Sequence, residues 1–329
     1  MKHFHFNTSL LGSLALAASL LAWSPNGLAI YIRDDVAASN YDALATQPEY
    51  ASAGWIQVND NTAKCTGTLV AANKVLTAAH CVYDDLGNLN ASQQFAFGLS
   101  ADVPLSFTNN VTAVVVSSLY DYSDPNASTY DLALLTLNNP LTQTPAVLWS
   151  NIIASSPTPF TGVMLGYGFQ GTGLVQSNVG ATARLAAMNL IDSGGIIDLQ
   201  SDFDKPDGST NTFGNPYPIA LEGTTCNGDS GGPLFIEGGG VVGVLSWGYN
   251  PYRNNDCHYG DVSGWAPIAN PLNLEFLASQ GINVSYIPEP PTLPMFLSVL
   301  IVWSACGSYF RAKVRFIEVS IKLFQKLVA

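Results

Sequence analysis

Positive charge is scarce in this chain. Twelve Lys and Arg face 24 Asp and Glu over 329 residues, a formal charge of −12. Lys2 lies in an N-terminal leader, and Arg311, Lys313, Arg315, Lys322 and Lys326 lie in the C-terminal tail, which leaves six basic residues for the body. No basic field is available to displace counterions, which excludes a nucleic-acid partner. Histidine is scarcer: once the leader is set aside, only His80 and His258 remain. Any chemistry that needs an imidazole therefore has two candidates. The body also lacks heptads and internal repeats, which excludes coiled-coil and solenoid architectures.

What the body has is short apolar runs between Gly, Asn, Asp and Pro. Trp55–Val58, Thr66–Val70, Val75–Thr77, Val111–Val116, Leu132–Leu137, Gly162–Phe169, Pro233–Ile236 and Val241–Trp247 are strand-length and rich in Val, Leu and Thr. Such runs predict an antiparallel all-β body, with one short helix near Asn273–Ser279. The polar stretch Ser193–Asn215 reads as a long loop. Its acids, Asp202, Asp204 and Asp207, match no calcium-loop spacing and read as solvated.

The two ends are of different material. Residues 1–29 read as a secretory signal: Lys2, an apolar core from Leu10 to Ala22, and small residues at Gly27-Leu28-Ala29. Export to an oxidising compartment permits disulfides. Pro288-Glu289-Pro290 opens the tail, a near-continuous apolar run from Met295 to Phe310 follows, and then a basic cluster begins. This end resembles the PEP-CTERM sorting signal of Gram-negative bacteria. The resemblance implies a membrane-bound sorting enzyme as partner, and a transmembrane-type helix that anchors the chain in the membrane before processing. Phe316–Ala329 continues past the usual end of such signals. The division expected is therefore 1–29 signal, 30–282 body, 283–294 linker and 295–329 apolar anchor and basic tail.

The chemistry centres on Thr225-Cys226-Asn227-Gly228-Asp229-Ser230-Gly231-Gly232-Pro233. A serine among glycines suits an activated nucleophile on a tight turn whose backbone N–H groups can face an oxyanion. The serine needs a base. His80, in Leu76-Thr77-Ala78-Ala79-His80-Cys81 at the end of an apolar strand, is favoured over His258 in its polar loop. The base needs an acid. Asp131 opens the apolar strand Leu132–Leu137, where a carboxylate would be partly buried and would need a partner; Asp121 and Asp124 are nearby rivals that read as turn caps. Gly228-Asp229-Ser230-Gly231-Gly232 also fits the elbow of α/β-hydrolases, but those place acid and histidine after the serine. The order His80, Asp131, Ser230 is that of chymotrypsin-type proteases.

Across about residues 50–280 the chain resembles a trypsin-like serine protease, through Leu76–Cys81, Asp131–Leu134, Cys226–Leu234 and Ser246-Trp247-Gly248 in that order. The resemblance implies two six-stranded antiparallel β-barrels, about 50–145 and 155–280, with the cleft between them. It implies His80, Asp131 and Ser230 as the catalytic triad, and the N–H groups of Gly228 and Ser230 as the oxyanion hole. It pairs Cys65 with Cys81 and Cys226 with Cys257. Ser246 would support Asp131, and Ser246, Trp247 and Gly248 would pair with substrate backbone. By the same alignment Thr224 is the floor of the specificity pocket and Gly260 part of its wall, which predicts a preference for uncharged side chains. A one-residue shift between Cys257 and Ser263 would instead bring Asp261 into the pocket and select basic residues. Asp229 would pair with a freed N-terminus, here Ile30 after signal removal. The reading is a secreted serine endopeptidase acting on protein or peptide substrate, with no cofactor and no metal. The alternative is a catalytically silent surface or matrix-binding module on the same fold.

Overall fold

The computed structural model describes residues 30–58, 63–84, 87–89, 95–99, 109–150, 159–180, 183–236, 239–252 and 257–285. In chain order the first elements are β1 (Ile30–Ile32), α1 (Ala38–Ala45), β2 (Ala53–Val58), β3 (Ala63–Ala71), β4 (Lys74–Thr77), β5 (Phe95–Gly98), β6 (Val111–Val116), β7 (Ala133–Leu137) and β8 (Leu148–Trp149). There follow β9 (Phe160–Gly166), β10 (Phe169–Thr172), β11 (Gln176–Gly180), β12 (Leu185–Ile191), β13 (Ser193–Gly194), β14 (Leu199–Asp202) and β15 (Gly223–Thr224). The last are β16 (Pro233–Ile236), β17 (Val241–Tyr249), β18 (Val262–Pro267), α2 (Pro271–Ser279) and β19 (Val284–Ser285).

The first half is a six-stranded antiparallel sheet in the order β5-β2-β3-β4-β7-β6. It curls until Ala96 of β5 bridges Asn110, at the foot of β6. β4 and β7 are central, and they are apolar on both faces because both faces are covered: Val75, Leu76, Leu134 and Leu135 are all buried. Edge strand β6 carries its valines half-exposed.

The second half departs from six antiparallel strands. Its main path is β12-β9-β16-β17-β18-β14-β13, with β8 and β19 added in parallel at the Val241 end of β17. The turn from β12 back to β14 is bridged by a side chain: Asn189 Nδ2 donates to Asp202 O at 2.7 Å and to Gly223 O at 2.9 Å. A third sheet, β11-β10-β1-β15, forms around the buried N-terminal strand. Apolar residues of the two halves share one core, in which Leu69 and Leu134 join Val163 and Phe235.

The stretch read as one long loop contains strands β13 and β14. Polar composition hid β14, because Ser201 and Asp202 are buried through hydrogen bonds rather than through apolarity: Asp202 accepts from Thr212 N and Phe213 N at 2.5 and 2.9 Å. Helix α1 was also illegible. It has no side-chain cap and is held by packing of Tyr41, Leu44 and Ala45. Helix α2 begins two positions before Asn273 because Pro271 follows the N-cap Asn270, whose side chain accepts from Leu272 N at 2.9 Å. The fold extends through Ser285. Among the described residues no helix is long and apolar enough to cross a membrane; the leader, the Pro-Glu-Pro segment and the apolar run at 295–310 lie outside them.

Candidate active site

β4 ends in Thr77, and two buried alanines, Ala78 and Ala79, lead into a single 3₁₀ turn, Ala79–Val82. Small side chains leave the His80 ring room at the cleft, where it is 27% exposed. Asp131 caps the turn Pro125–Tyr130 just before β7 and is 2% exposed. Its Oδ1 accepts from His80 N at 2.9 Å, and its Oδ2 lies 2.7 Å from His80 Nδ1. Ser246 of β17 donates its hydroxyl to the same Oδ2 at 2.7 Å. A buried carboxylate demands such partners, and here three donors converge on one acid. The rivals are exposed turn residues: Asp121 accepts from Ser123, and Asp124 accepts from Asn126 N. His258, in its polar loop, is buried, 8% exposed.

Ser230 stands on a turn pinned from several sides. Thr66 N donates to Ser230 O at 2.8 Å, and Gly231 N donates to Leu245 O at 2.8 Å. Cys81 Sγ lies 3.5 Å from Ser230 O, so the residue after His80 touches the carbonyl of Ser230. Gly228 has φ +95°, and a Cβ there would lie 2.7 Å from Gly168 Cα; only glycine suits both demands. The N–H groups of Asp229, Gly231 and Gly232 are engaged in the turn, whereas those of Gly228 and Ser230 have no partner among the described residues. Both expected disulfides form, Cys65–Cys81 with Cα atoms 6.2 Å apart and Cys226–Cys257 with Cα atoms 5.4 Å apart. Cys65, Cys81 and His80 crowd within metal-ligand reach of one another, but both sulfurs are already in the bridge.

A cavity of about 70 Å³ opens beside Ser230 and is lined by Thr225, Asn227, Trp247, Gly248 and Asp261, together with the second disulfide. Thr224, the floor expected from the resemblance, is not among the lining residues. Its neighbour Thr225 is in the lining, and the two hydroxyls share one partner, Ser263 Oγ, at 3.1 Å from Thr224 and 2.8 Å from Thr225. Gly260 is likewise outside the lining and packs against Tyr252. Asp261, reached in the sequence only by a shift of register, is 3% exposed and stands in the wall. Its carboxylate accepts from Asn250 Nδ2 at 2.6 Å and from Cys257 N. A larger cleft of about 520 Å³ runs past His80 and Ser246, with Tyr120, Tyr122, Ile197 and Trp247 along it.

Asp229 is fully buried behind the turn. Burial pushes its carboxyl up to about 7, against the pull of N–H groups from Cys226, Gly168 and Ile30. The Gly168 and Cys226 bonds are 2.7 and 2.8 Å. A Cβ at Gly166 would lie 1.9 Å from the Asp229 carboxylate, so the strand behind it must be bare. Ile30 is buried and has φ +69°. β1 carries it there by pairing parallel to β10 and antiparallel to β15.

The family model described as Trypsin matches residues 45–263, more than half of the 329-residue chain. The chain belongs to the trypsin family. A trypsin of Saccharopolyspora erythraea is 30% identical over 193 residues, covering 56% of this chain and 75% of that protein. Trypsin alpha of Drosophila melanogaster is 29% identical over 211 residues, 60% of this chain and 73% of that one. Among solved structures, a Glu endopeptidase in complex with MPD superposes with a TM-score of 0.50 at 20% identity, covering 72% of this chain and 95% of that one. A mutant of human heparin binding protein superposes with a TM-score of 0.51 at 20% identity, covering 74% and 97%. These last two speak for the fold alone. The trypsin relatives and the shared fold make this protein a serine protease.

Proposed function

We propose that this trypsin-family enzyme hydrolyses peptide bonds with Ser230 as nucleophile, His80 as base and then acid, and Asp131 fixing the imidazole. The observation that carries this reading is the Asp131 carboxylate, buried and gripped by His80 N, His80 Nδ1 and Ser246. A carboxylate only accepts, so Nδ1 donates and Nε2 keeps the lone pair. The Ser230 hydroxyl passes its proton to Nε2 as Oγ bonds to the substrate carbonyl carbon, and the carbonyl oxygen takes the negative charge. The N–H groups of Gly228 and Ser230 receive that charge. Imidazolium then protonates the leaving amine, and water repeats the sequence on the acyl-enzyme. Residues 246–248 of β17 add the substrate as an extra strand.

Asp261 favours a basic side chain in the pocket over the uncharged one expected from Thr224. A carboxylate lining so small a cavity attracts a cation and repels an acid, and its existing donors, Asn250 and Cys257, hold it in place without neutralising it. Activation follows from Ile30. A β-branched residue resists positive φ by about 1–2 kcal/mol. That dihedral exists only while residue 29 is attached, so cutting before Ile30 removes the strain and converts a peptide N–H beside buried Asp229 into an ammonium. We assign 30–285 to the enzyme, 1–29 to an export signal and the end from Pro288 to a sorting signal for a membrane-bound processing enzyme. The two disulfides agree with an extracellular setting.

Labelling with a fluorophosphonate probe tests the enzyme reading. The wild type should label and Ser230→Ala should not; an unlabelled, correctly processed wild type would sink it. A peptide-library cleavage profile then reads the pocket. Cleavage after Lys and Arg supports the role of Asp261, and cleavage after uncharged residues returns the choice to Thr225 and the apolar wall.

A further inference from the structure

The body of this acidic chain has six basic residues, and one of them, Arg33, stands just past the first strand. β1 pairs with β15 through Tyr31 with Thr224 and Ile32 with Gly223, and the chain then leaves as Arg33-Asp34-Asp35. Asp35 orients the Arg33 guanidinium, with Nε and Nη2 at 2.8 and 2.7 Å from its carboxylate. So held, Nη1 donates to Ile219 O at 2.6 Å. Ile219 opens the segment that runs through β15 to Thr225, in the pocket lining. The next residue turns to the opposite segment. Tyr259 OH donates to Asp34 Oδ1 at 2.6 Å, and Asp34 N donates to the same phenol oxygen at 3.2 Å. Tyr259 lies between Cys257 and Asp261, which both line the pocket.

Both segments need holding. The stretch 257–261 contains two residues in the left-handed region, Cys257 at φ +71° and Gly260 at φ +92°, and such backbone persists only where its surroundings over-determine it. Phe203 N donates to Asp261 O at 2.8 Å, and Gly260 N donates to Phe203 O at 2.7 Å. The Tyr259 ring packs on buried Phe203 with centroids 4.6 Å apart. Gly173 admits that ring, since a Cβ there would lie 2.4 Å from it. Asp34 takes up the phenol end. The stretch 219–225 is held at its start by Glu222, whose carboxylate accepts from Ile219 N and Asp204 N at 2.8 Å each. Tyr41 of α1 donates its hydroxyl to Glu222 O at 2.9 Å. Arg33 adds the carbonyl of the same Ile219.

We propose that Arg33 and Asp34 are positioning residues for the specificity pocket, a two-armed clamp that sets the spacing between the segment entering Thr225 and the segment bearing Asp261. The pocket's part in specificity rests on the function proposed above; the clamp itself rests on its hydrogen bonds. Neither residue is in the lining, so each acts through another, Arg33 through Ile219 and Asp34 through Tyr259. Both lie after Ile30, and neither bond needs a free ammonium. The clamp is therefore separate from the pairing of Ile30 with Asp229. A cavity of about 70 Å³ leaves little slack. A change in wall spacing is felt by any side chain that enters, and it shows as weaker binding rather than slower chemistry.

Two readouts test it. Hydrogen exchange on processed Ser230→Ala protein needs no turnover, so it decides the clamp apart from the enzyme reading, which stands or falls on the fluorophosphonate label. Tyr259→Phe keeps the ring on Phe203 and removes both bonds to Asp34. Arg33→Met keeps the stem and removes the donors. The first should speed exchange at 257–261 and the second at 219–225, each by about threefold to tenfold, with the 226–232 turn unchanged. In the chain that retains Ser230, each should raise KM by a like factor for the ester that the cleavage profile prefers, with kcat and the rate of fluorophosphonate labelling unmoved. Asp34→Ala added to Tyr259→Phe should cost nothing further, because the two share one contact, whereas Arg33→Met added to it should multiply the loss. Unchanged exchange at both walls, an unmoved KM, or a loss in kcat and labelling as large as that in KM overturns the proposal.

Discussion

The two halves of the molecule solve the problem of buried charge in opposite ways. The first half contains one acid at the site, Asp131, and meets it with protein donors: His80 twice and Ser246 once. The second half buries Asp229, Asp204, Glu222 and Asp261, and in the proposed reading two of these are answered by groups that arrive from elsewhere. In that reading Asp229 receives the Ile30 ammonium, and Asp261, already held by Asn250 and Cys257, receives a basic substrate. The acid of the first half is thus met once the chain folds, whereas the proposal has the second half completed by processing and by substrate. The contrast separates a fixed proton-transfer unit from a conditional binding unit.

The sharpest test of the proton-transfer unit is removal of the hydroxyl that the second half presents to it. Ser230→Ala should lower kcat by about 10⁶-fold, read by hydrolysis of a chromogenic lysine or arginine ester, with the thermal midpoint unmoved. Asp131→Asn should cost about 10⁴-fold, because an amide can present its N–H to His80 and reverse the tautomer. A small loss in Asp131→Asn would break the comparison, since the first half would then not set the proton transfer.

The conditional half is broken next. A chain uncut before Ile30 should be nearly inactive, and its stability should fall as pH rises. The sign follows from Asp229: its folded carboxyl is raised from 3.8 to about 7, so the protonated form is favoured on folding. The stabilising contribution is complete below about pH 4, the ordinary carboxyl range, and is lost as pH rises through 7. After cutting, the ammonium pairs with the carboxylate and this loss should vanish. Melting curves of cut and uncut Ser230→Ala protein between pH 4 and pH 8 would show it; parallel curves would sink the pairing.

Smaller effects sharpen the division. Asp261→Asn should weaken cleavage after Lys and Arg by about 30-fold or more, from roughly 2 kcal/mol or more for an uncompensated buried charge, mostly in KM, with uncharged substrates gaining relative to basic ones. Ser246→Ala removes one of three donors to Asp131 and should lower kcat by no more than about tenfold. If Ser246→Ala proved the more damaging of the two, the charge in the first half would be the less secure one.

Much of this is legible in the sequence. Rarity made His80 conspicuous, because imidazole is what the rest of the body almost lacks, and the apolar run after Asp131 marked it as a buried acid. Central strands such as β7 read clearly since both faces are apolar. The pocket did not read clearly. Whether Thr224 or Asp261 faces the substrate depends on a single residue of register between Cys257 and Ser263, where Cys257 itself takes φ +71°, and no periodic pattern fixes such a segment. Strand β14 and the buried Glu222 escaped for a shared reason. Their polar groups are buried against backbone donors, and a sequence shows polarity but not what meets it.

One edge of the fold has a practical meaning. β19 pairs with β8, which touches β17 at Val241, five residues from Ser246 along the same strand and so about 17 Å from it at the rise of an extended chain. A support, a label or a fused partner joined after Ser285 would therefore grip the molecule by its back. The protease could be tethered by that handle with its mouth open to large substrates.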